Sequence, residues 1–361
     1  MNSSNIFVVL PHREAFSRSA SGAIALTVAQ YVRHSATREK TQVLGGPVGD
    51  PLDPGVFFAV APRNKWWRSQ TAAFVKGCLA HMAPRAPRHI DVHNRVAVFH
   101  ACAKRFPAAK VSLWLHNDPL TMRGAKTPAQ RRRILRAGAV ICVSDWLRER
   151  FLQGLDEAGQ KVLVLPNAIE IVPPRSVAKE NAIVYVGRII PEKGANIYAE
   201  AIAKALPDLP GWRGVLIGGG RGKAVRAPTA YERQARAHLA PLGERATMAG
   251  FLPHERVIEE FARSAIAIVP SLWDEPFGRT ALEAMAAGCA VIATRRGGLS
   301  EVLGDAAVNL DPPDADTLAR EIVALARDEP RRADLQRRAL ARAAQMFDIR
   351  DWSARLDALR G

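Results

Sequence analysis

Short apolar runs alternate with stretches of helical period and with turn residues along nearly the whole chain, and this rhythm constrains the fold more than any other feature. Apolar runs bounded by Gly, Pro, Asn or Asp read as buried strands, and the amphipathic stretches between them read as the crossover helices of βαβ units. Such units assemble into parallel sheets covered by helices on both faces. In the first half the pattern predicts strands at Ile6–Leu10, Gln42–Leu44, Val56–Ala61, Ile90–Val92, Val111–Leu115, Val140–Val143 and Val162–Leu165. Helices are predicted over Ala23–His34, Ser69–Met82, Arg95–Arg105, Pro128–Ala137 and Asp145–Gln153. A Pro-punctuated segment, Glu170–Asn181, interrupts the rhythm before it restarts at Ile183–Val186. The second sheet is expected to be complete at Ala290–Ala293, with Arg-rich helices after it.

The chain therefore reads as α/β, with two Rossmann-like domains facing each other across a cleft: one over 1–170, a linker over 171–181, a second over 182–345, and a C-terminal helix over 346–361 that packs back toward the first. At 361 residues with 48% hydrophobic content, two ordinary cores can be buried. No apolar stretch is long enough for a membrane span, and the N-terminus lacks the basic and cleavable features of a signal peptide, so a cytoplasmic protein is expected. Cys78, Cys102, Cys142 and Cys289 are far apart and sit mostly in apolar runs, where thiols are expected buried and reduced.

The net charge of +16 is unevenly placed. Residues 1–175 carry 25 Lys and Arg against 11 Asp and Glu, whereas residues 176–361 carry 26 against 24, so the first half is the basic one. Two acid-free stretches stand out, 54–90 and 119–144, the latter with Arg123, Lys126, Arg131, Arg132, Arg133 and Arg136. Such a field attracts phosphates, anionic lipid headgroups or nucleic acid.

The most informative stretch is Ser271–Asp305, SLWDEPFGRTALEAMAAGCAVIATRRGGLSEVLGD. It puts Glu275 in a turn after a strand, and Pro276, Phe277, Gly278 and Arg279 at the opening of a helix that carries Glu283. A helix start offers backbone N–H groups and positive dipole, and Gly278 permits close approach of a ligand to the main chain. A carboxylate at each end of this element could grip hydroxyls at two ends of one ligand. Alternatively, Glu275 caps the helix and Glu283 is solvated.

This stretch resembles the donor motif of the family-4 retaining glycosyltransferases of the GT-B fold, a Glu-x7-Glu pattern written here as EPFGRTALE. Ile183–Gly194, IVYVGRIIPEKG, is similar to the element from which that family's Arg and Lys reach the donor diphosphate, here Arg188 and Lys193. The resemblance implies an acceptor-side first domain and a nucleotide-sugar donor domain second, with the nucleotide sugar as a substrate and no cofactor; UDP and GDP types are not distinguished. It implies Glu275 on the sugar, Glu283 on the ribose, and Arg188 with Lys193 on the leaving charge. Gly218, Gly219 and Gly220 resemble the family's Gly-rich turn near the base, although Arg221-Gly222-Lys223 follows in place of the usual acidic continuation. Gly22 matches a loop near the donor phosphates, and His116 matches a His that faces the donor sugar, completing that site from the first domain.

No metal site is expected. Asp314-Ala315-Asp316 spells a DxD but opens a helix, where acids favour the dipole. Lys65-Trp66-Trp67-Arg68 interleaves aromatics with cations, a mixture suited to membrane interfaces, carbohydrate or single-stranded nucleic acid, or equally to a core-facing Trp pair. The expected activity is transfer of a hexose or N-acetylhexosamine from an NDP-sugar to a hydroxyl of an anionic envelope glycan or glycolipid, a lipopolysaccharide core in particular. Peripheral contact with the inner face of the cytoplasmic membrane is expected with it. The rival readings are a nucleotide-sugar epimerase of the same architecture and a basic nucleic-acid-binding protein, the latter lacking any recognised motif.

Overall fold

A computed structural model of the protein describes residues 5–61, 70–155, 161–171, 178–219 and 227–361. The chain divides into two compact units, one formed by the residues through Glu170 together with Phe347–Gly361, the other by Ile171–Met346. The expected Lys65, Trp66, Trp67 and Arg68 contacts, and Gly220 of the Gly-rich turn, lie outside the described residues.

The first unit holds a seven-stranded sheet of β1 (Ile6–Val9), β2 (Thr41–Gly45), β3 (Phe57–Ala59), β4 (His89–His93), β5 (Lys110–Leu115), β6 (Ala139–Cys142) and β7 (Val162–Val164). Their order is β3-β2-β1-β4-β5-β6-β7, and every described pairing is parallel. The order reverses between β1 and β4, which pair in the register Ile6 with His89 and Val9 with Val92. Helices α1 (Ala23–His34), α2 (Gln70–Met82), α3 (Val96–Arg105), α4 (Pro128–Ala137) and α5 (Asp145–Leu152) supply the crossovers. Two of their starts follow directly from sequence: Thr127 and Gln130 form a reciprocal capping box on α4, and Ser144 caps α5 by accepting from the Leu147 amide. On α1 the residues Ala25, Val28 and Val32 recur at helical spacing and meet Val8, Leu10 and Val43 of the sheet.

Arg131 corrects the charge reading. It is 1% exposed and donates to the carbonyls of Ala125, Lys126 and Gln153, so it anchors the chain around α4 instead of adding to a surface field. Carbonyls that helix and turn geometry leave unpaired need such a donor.

The second unit holds β8 (Glu180–Val186), β9 (Arg213–Ile217), β10 (Ala246–Gly250), β11 (Ser264–Val269), β12 (Ala290–Ala293) and β13 (Val308–Asn309), in the order β10-β9-β8-β11-β12-β13. Its helices are α6 (Ala195–Ala205), α7 (Ala230–Leu239), α8 (His254–Arg263), α9 (Arg279–Ala286), α10 (Leu299–Leu303), α11 (Ala315–Arg327) and α12 (Glu329–Phe347). The sheet does not end at Ala290–Ala293: β13 adds a sixth strand through Ile292–Val308 and Ala293–Asn309 pairs, after the short helix α10. Neither element is long enough to show a period in sequence. β8 also begins inside the segment read as linker, because Glu180 pairs with Ser264 of β11 and is held by Arg213 at 2.8 Å.

The last helix, α13 (Ile349–Arg360), belongs to the first unit. Its Ile349 and Leu356 are buried with Tyr31, Trp114 and Ile141. Asp357 accepts from the Ser35 hydroxyl at 2.5 Å and from the Ala36 amide at 2.7 Å, and Arg360 donates to the buried Asp91 at 2.5 Å. All four cysteines are buried and unpaired, and burial raises the Cys289 thiol to about 11. Among the described residues, no helix is long and apolar enough to cross a membrane.

Candidate functional site

In each sheet the strand order reverses once, and doubly wound sheets bind ligands beyond the carboxyl ends of the strands at that point. In the second unit the reversal falls between β8 and β11, and the two chain segments that leave these strands carry the residues singled out in sequence. After β8 comes Gly187–Gly194. The buried Tyr185 hydroxyl donates to the carbonyls of Arg188 at 3.0 Å and Lys193 at 3.3 Å, which fixes the turn while the Arg188 side chain stays exposed. Gly194 closes it at φ 68°, and a Cβ there would lie 2.2 Å from the Pro270 carbonyl oxygen, so only glycine lets this turn meet the end of β11.

After β11 comes Pro270–Gly278. Glu275 is 6% exposed. One of its carboxylate oxygens, Oε1, accepts from Lys193 Nζ at 2.5 Å and from the Ser271 hydroxyl at 2.5 Å. Lys193 also lies over the Trp273 ring at 5.1 Å. The cation and carboxylate assigned in sequence to different parts of a ligand are thus paired with each other here. A buried carboxylate requires such a partner, since an isolated buried charge is costly. The Glu275 carbonyl accepts from the Gly298 amide at 2.7 Å, which ties this turn to the chain after β12.

Gly278, at φ 101°, opens α9, and Glu283 sits about one and a half turns later on the helix. Glu283 is neither solvated nor alone. It accepts from Arg279 Nε at 2.7 Å and from His254 Nε2 at 2.9 Å. Burial works to raise its carboxyl pKa, but the Arg279 guanidinium and then His254 outweigh it, so the group lies below the usual carboxylate range. Gly218, at φ 145°, packs its Cα against the Gly187 carbonyl, and the Gly219 carbonyl accepts from the Ile189 amide, so the Gly-rich turn supports the Arg188 turn directly. Asp314 caps α11 by accepting from the Thr317 amide, and Asp316 pairs with Lys204 at 2.7 Å. Among the described residues, no group of three or more His, Cys, Asp or Glu could hold a metal.

In the first unit, His116 leaves β5 and is buried. Its amide donates to Asn94 Oδ1 at 2.8 Å, and its Nε2 lies 2.9 Å from His93 Nδ1, so one ring donates to the other. Burial and then Arg360 push His93 down to about 3, and this contact couples the tautomer of the His93 ring to that of His116. Gly22 precedes α1, and the Glu14 carboxylate already occupies that helix end: its Oε1 accepts from the Ala25 amide at 3.2 Å and would lie 2.4 Å from a Cβ on Gly22. A phosphate at this end of α1 would have to displace Glu14. Sequence reasoning missed Glu14, His93, Ser271 and His254. Only the His93-Asn94 pair, two polar residues at a strand's carboxyl end, carried a signal.

Two parallel sheets of this doubly wound order are a pair of Rossmann-like units of the kind found in GT-B glycosyltransferases. Residues 169–342 match the family model of glycosyl transferases group 1, a span that falls almost wholly within the second unit. Over its whole length the chain is similar to Anabaena HepE solved with UDP and glucose, with a TM-score of 0.75, 19% identity and 98% of each chain covered. It is 29% identical over 253 residues to an exopolysaccharide phosphotransferase of Streptomyces coelicolor, covering 68% of this chain and 26% of that protein. It is 30% identical over 295 residues to a D-inositol 3-phosphate glycosyltransferase of Geodermatophilus obscurus, covering 71% of this chain and 64% of that protein. The chain thus spans between about a quarter and two thirds of the length of these two curated relatives.

Proposed function

We propose that the chain is a retaining, metal-independent glycosyltransferase that moves a hexose or N-acetylhexosamine from an NDP-sugar to a hydroxyl of an anionic glycan or glycolipid. The observation that carries this reading is the meeting of Glu275, Lys193 and Ser271 at the carboxyl ends of β8 and β11, next to a glycine-opened helix bearing a buried Glu283. Glu275 and the backbone of Pro276, Phe277 and Gly278 hold the sugar, Glu283 with Arg279 holds the ribose, and Gly218 and Gly219 border the base. Arg188 and Lys193 stabilise the departing diphosphate, a role that positive charge can fill in place of a metal. Donor binding then shares Lys193 between the diphosphate and Glu275. Gly22 contributes to phosphate contact once Glu14 has moved, and His116 hydrogen-bonds a sugar hydroxyl.

In the step itself the bond from the anomeric carbon to the diphosphate oxygen breaks, the acceptor oxygen bonds to the same face, and the acceptor proton passes to the leaving diphosphate. The basic first half and the relative named for a phosphorylated inositol both support an anionic acceptor, a lipopolysaccharide core in particular. Lys65, Trp66, Trp67 and Arg68 are assigned to contact with acceptor or anionic lipid; failure of anionic vesicles to retain the protein at low salt would remove that assignment. The transferase reading is tested by incubating the protein with UDP- and GDP-sugars. Slow release of free sugar supports it, whereas a new NDP-sugar would make the protein an epimerase.

A further inference from the structure

Both carboxylates of the candidate site are held in the same way. Lys193 and the Ser271 hydroxyl donate to a single oxygen of Glu275, its Oε1. Arg279 and His254 likewise donate to a single oxygen of Glu283, again Oε1, at 2.7 and 2.9 Å. In neither residue does Oε2 have a hydrogen-bond partner among the described residues. An ionised carboxylate accepts at about four lone-pair positions, so two donors fill one oxygen and leave the other for a ligand. Of these donors, His254 has been given no role.

His254 is the first residue of α8, and α8 packs beside α9, which carries Glu283. The helix start does not depend on it, because the cap position belongs to Pro253. Its side chain is 24% exposed and forms no hydrogen bond or ion pair among the described residues except the one to Glu283. An ionised carboxylate can only accept, so Nε2 carries the hydrogen. The chain reaches His254 from the end of β10, where the Gly250 carbonyl accepts from the Gly218 amide at 2.8 Å. One segment thus connects the Gly-rich turn, assigned to the base, with the carboxylate assigned to the ribose.

Arg279 alone would leave that carboxylate loosely set. It lies one turn before Glu283 on the same helix, and the last torsion of a glutamate is broad, so either oxygen could be turned toward the guanidinium. A second donor arriving from another helix on the same oxygen removes that freedom. We infer that His254 is a positioning residue of the nucleotide site: by donating to Oε1 together with Arg279 it fixes the plane of the Glu283 carboxylate and reserves Oε2 for the ribose hydroxyls. This rests on the assignment of Glu283 to the ribose.

The test compares, by calorimetry on the full chain, the binding of UDP and GDP with that of their 2′,3′-dideoxy analogues. Wild type prefers the ribonucleotide by about a hundredfold or more, because an analogue without the hydroxyls leaves a carboxylate oxygen unpaired. His254→Phe keeps an aromatic ring but cannot donate, and narrows that preference about tenfold through weaker binding of the ribonucleotide, with the dideoxy analogue unaffected. His254→Ala does the same, and decides the matter if His254→Phe does not fold; Ala suits a helix start and empties no core position. His254→Gln places an amide donor at about the reach of Nε2 and restores the preference. A purely structural role would weaken both kinds of nucleotide alike. That result, a preference unchanged in His254→Phe and His254→Ala, or no recovery in His254→Gln overturns the inference alone. Wild type that binds neither nucleotide, or binds the dideoxy analogue as tightly, removes the ribose assignment and the inference with it.

Discussion

Replacing Glu283 separates its structural part from its ligand-binding part. Glu283 and Arg279 are each 7% exposed, so solvent does little to screen them. Truncation to Ala leaves the Arg279 guanidinium buried without its carboxylate, and breaking such a pair costs about 3–5 kcal/mol. For a unit of this size each kcal/mol moves the melting temperature by about 2–4 °C, so Glu283→Ala should lower it by roughly 6–20 °C. Removing both charges together, in Arg279→Met/Glu283→Leu, should recover most of that loss, because a hydrophobic pair of similar volume is often neutral or better. If Glu283 also holds the ribose, the double variant regains its melting temperature and still shows no nucleotide-dependent shift. The assay is thermal denaturation with and without UDP and GDP. A Glu283→Ala loss under about 1 kcal/mol would refute the buried-pair reasoning. A double variant that keeps the nucleotide shift would refute the ribose role.

Three further outcomes follow from particular contacts. Glu283 has a carboxyl pKa held below the ordinary range, so its stabilising contribution is complete above the unfolded-state value near about 4.3 and fades as pH falls through the lower folded value. The stability gap between wild type and Glu283→Gln, measured by denaturant titration, should therefore be constant above about pH 5 and shrink in more acidic buffer. Gly194→Ala should destabilise the second unit by more than about 1–3 kcal/mol, through a clash with the Pro270 carbonyl added to a left-handed backbone, whereas Gly211→Ala, at φ 79° with nothing within 4 Å, should cost only the backbone part. Comparing the two melting temperatures isolates the close approach. His93→Phe keeps the stack on Trp114 but loses the Nδ1 contact to His116, and should lower kcat about tenfold with little change in KM for donor, while His93→Asn retains more.

The architecture was largely legible in the sequence because each unit repeats one physical pattern. The start of α4 follows from its capping box and the extent of α1 from a regular apolar stripe, whose twelve-residue period survives local irregularity. What escaped is short or depends on distant partners. The two-residue β13 and five-residue α10 have no period to read. Arg131 looks like any other residue of a basic run until the carbonyls of Ala125 and Gln153 are placed around it. Within the candidate site, Glu275 and Glu283 could be named from their placement about a helix start and Lys193 from the family resemblance, but their pairing could not. Lys193 and Glu275 are 82 positions apart, and His254 reaches Glu283 from α8. Glu14 on the first turn of α1 is a contact of the same kind, set by a loop whose course no pattern encodes.

The most direct measurement of the central claim is donor hydrolysis by wild type and Glu275→Ala, run on the NDP-sugar that gives the largest thermal shift. Removing a preorganised group from a charge-stabilising site costs about 10²–10³ in rate, so the account predicts measurable sugar release by wild type and a loss of that order in the variant, with the fold intact by circular dichroism. Hydrolysis by Glu275→Ala at the wild-type rate, or no nucleotide-dependent shift for any NDP-sugar, would contradict it.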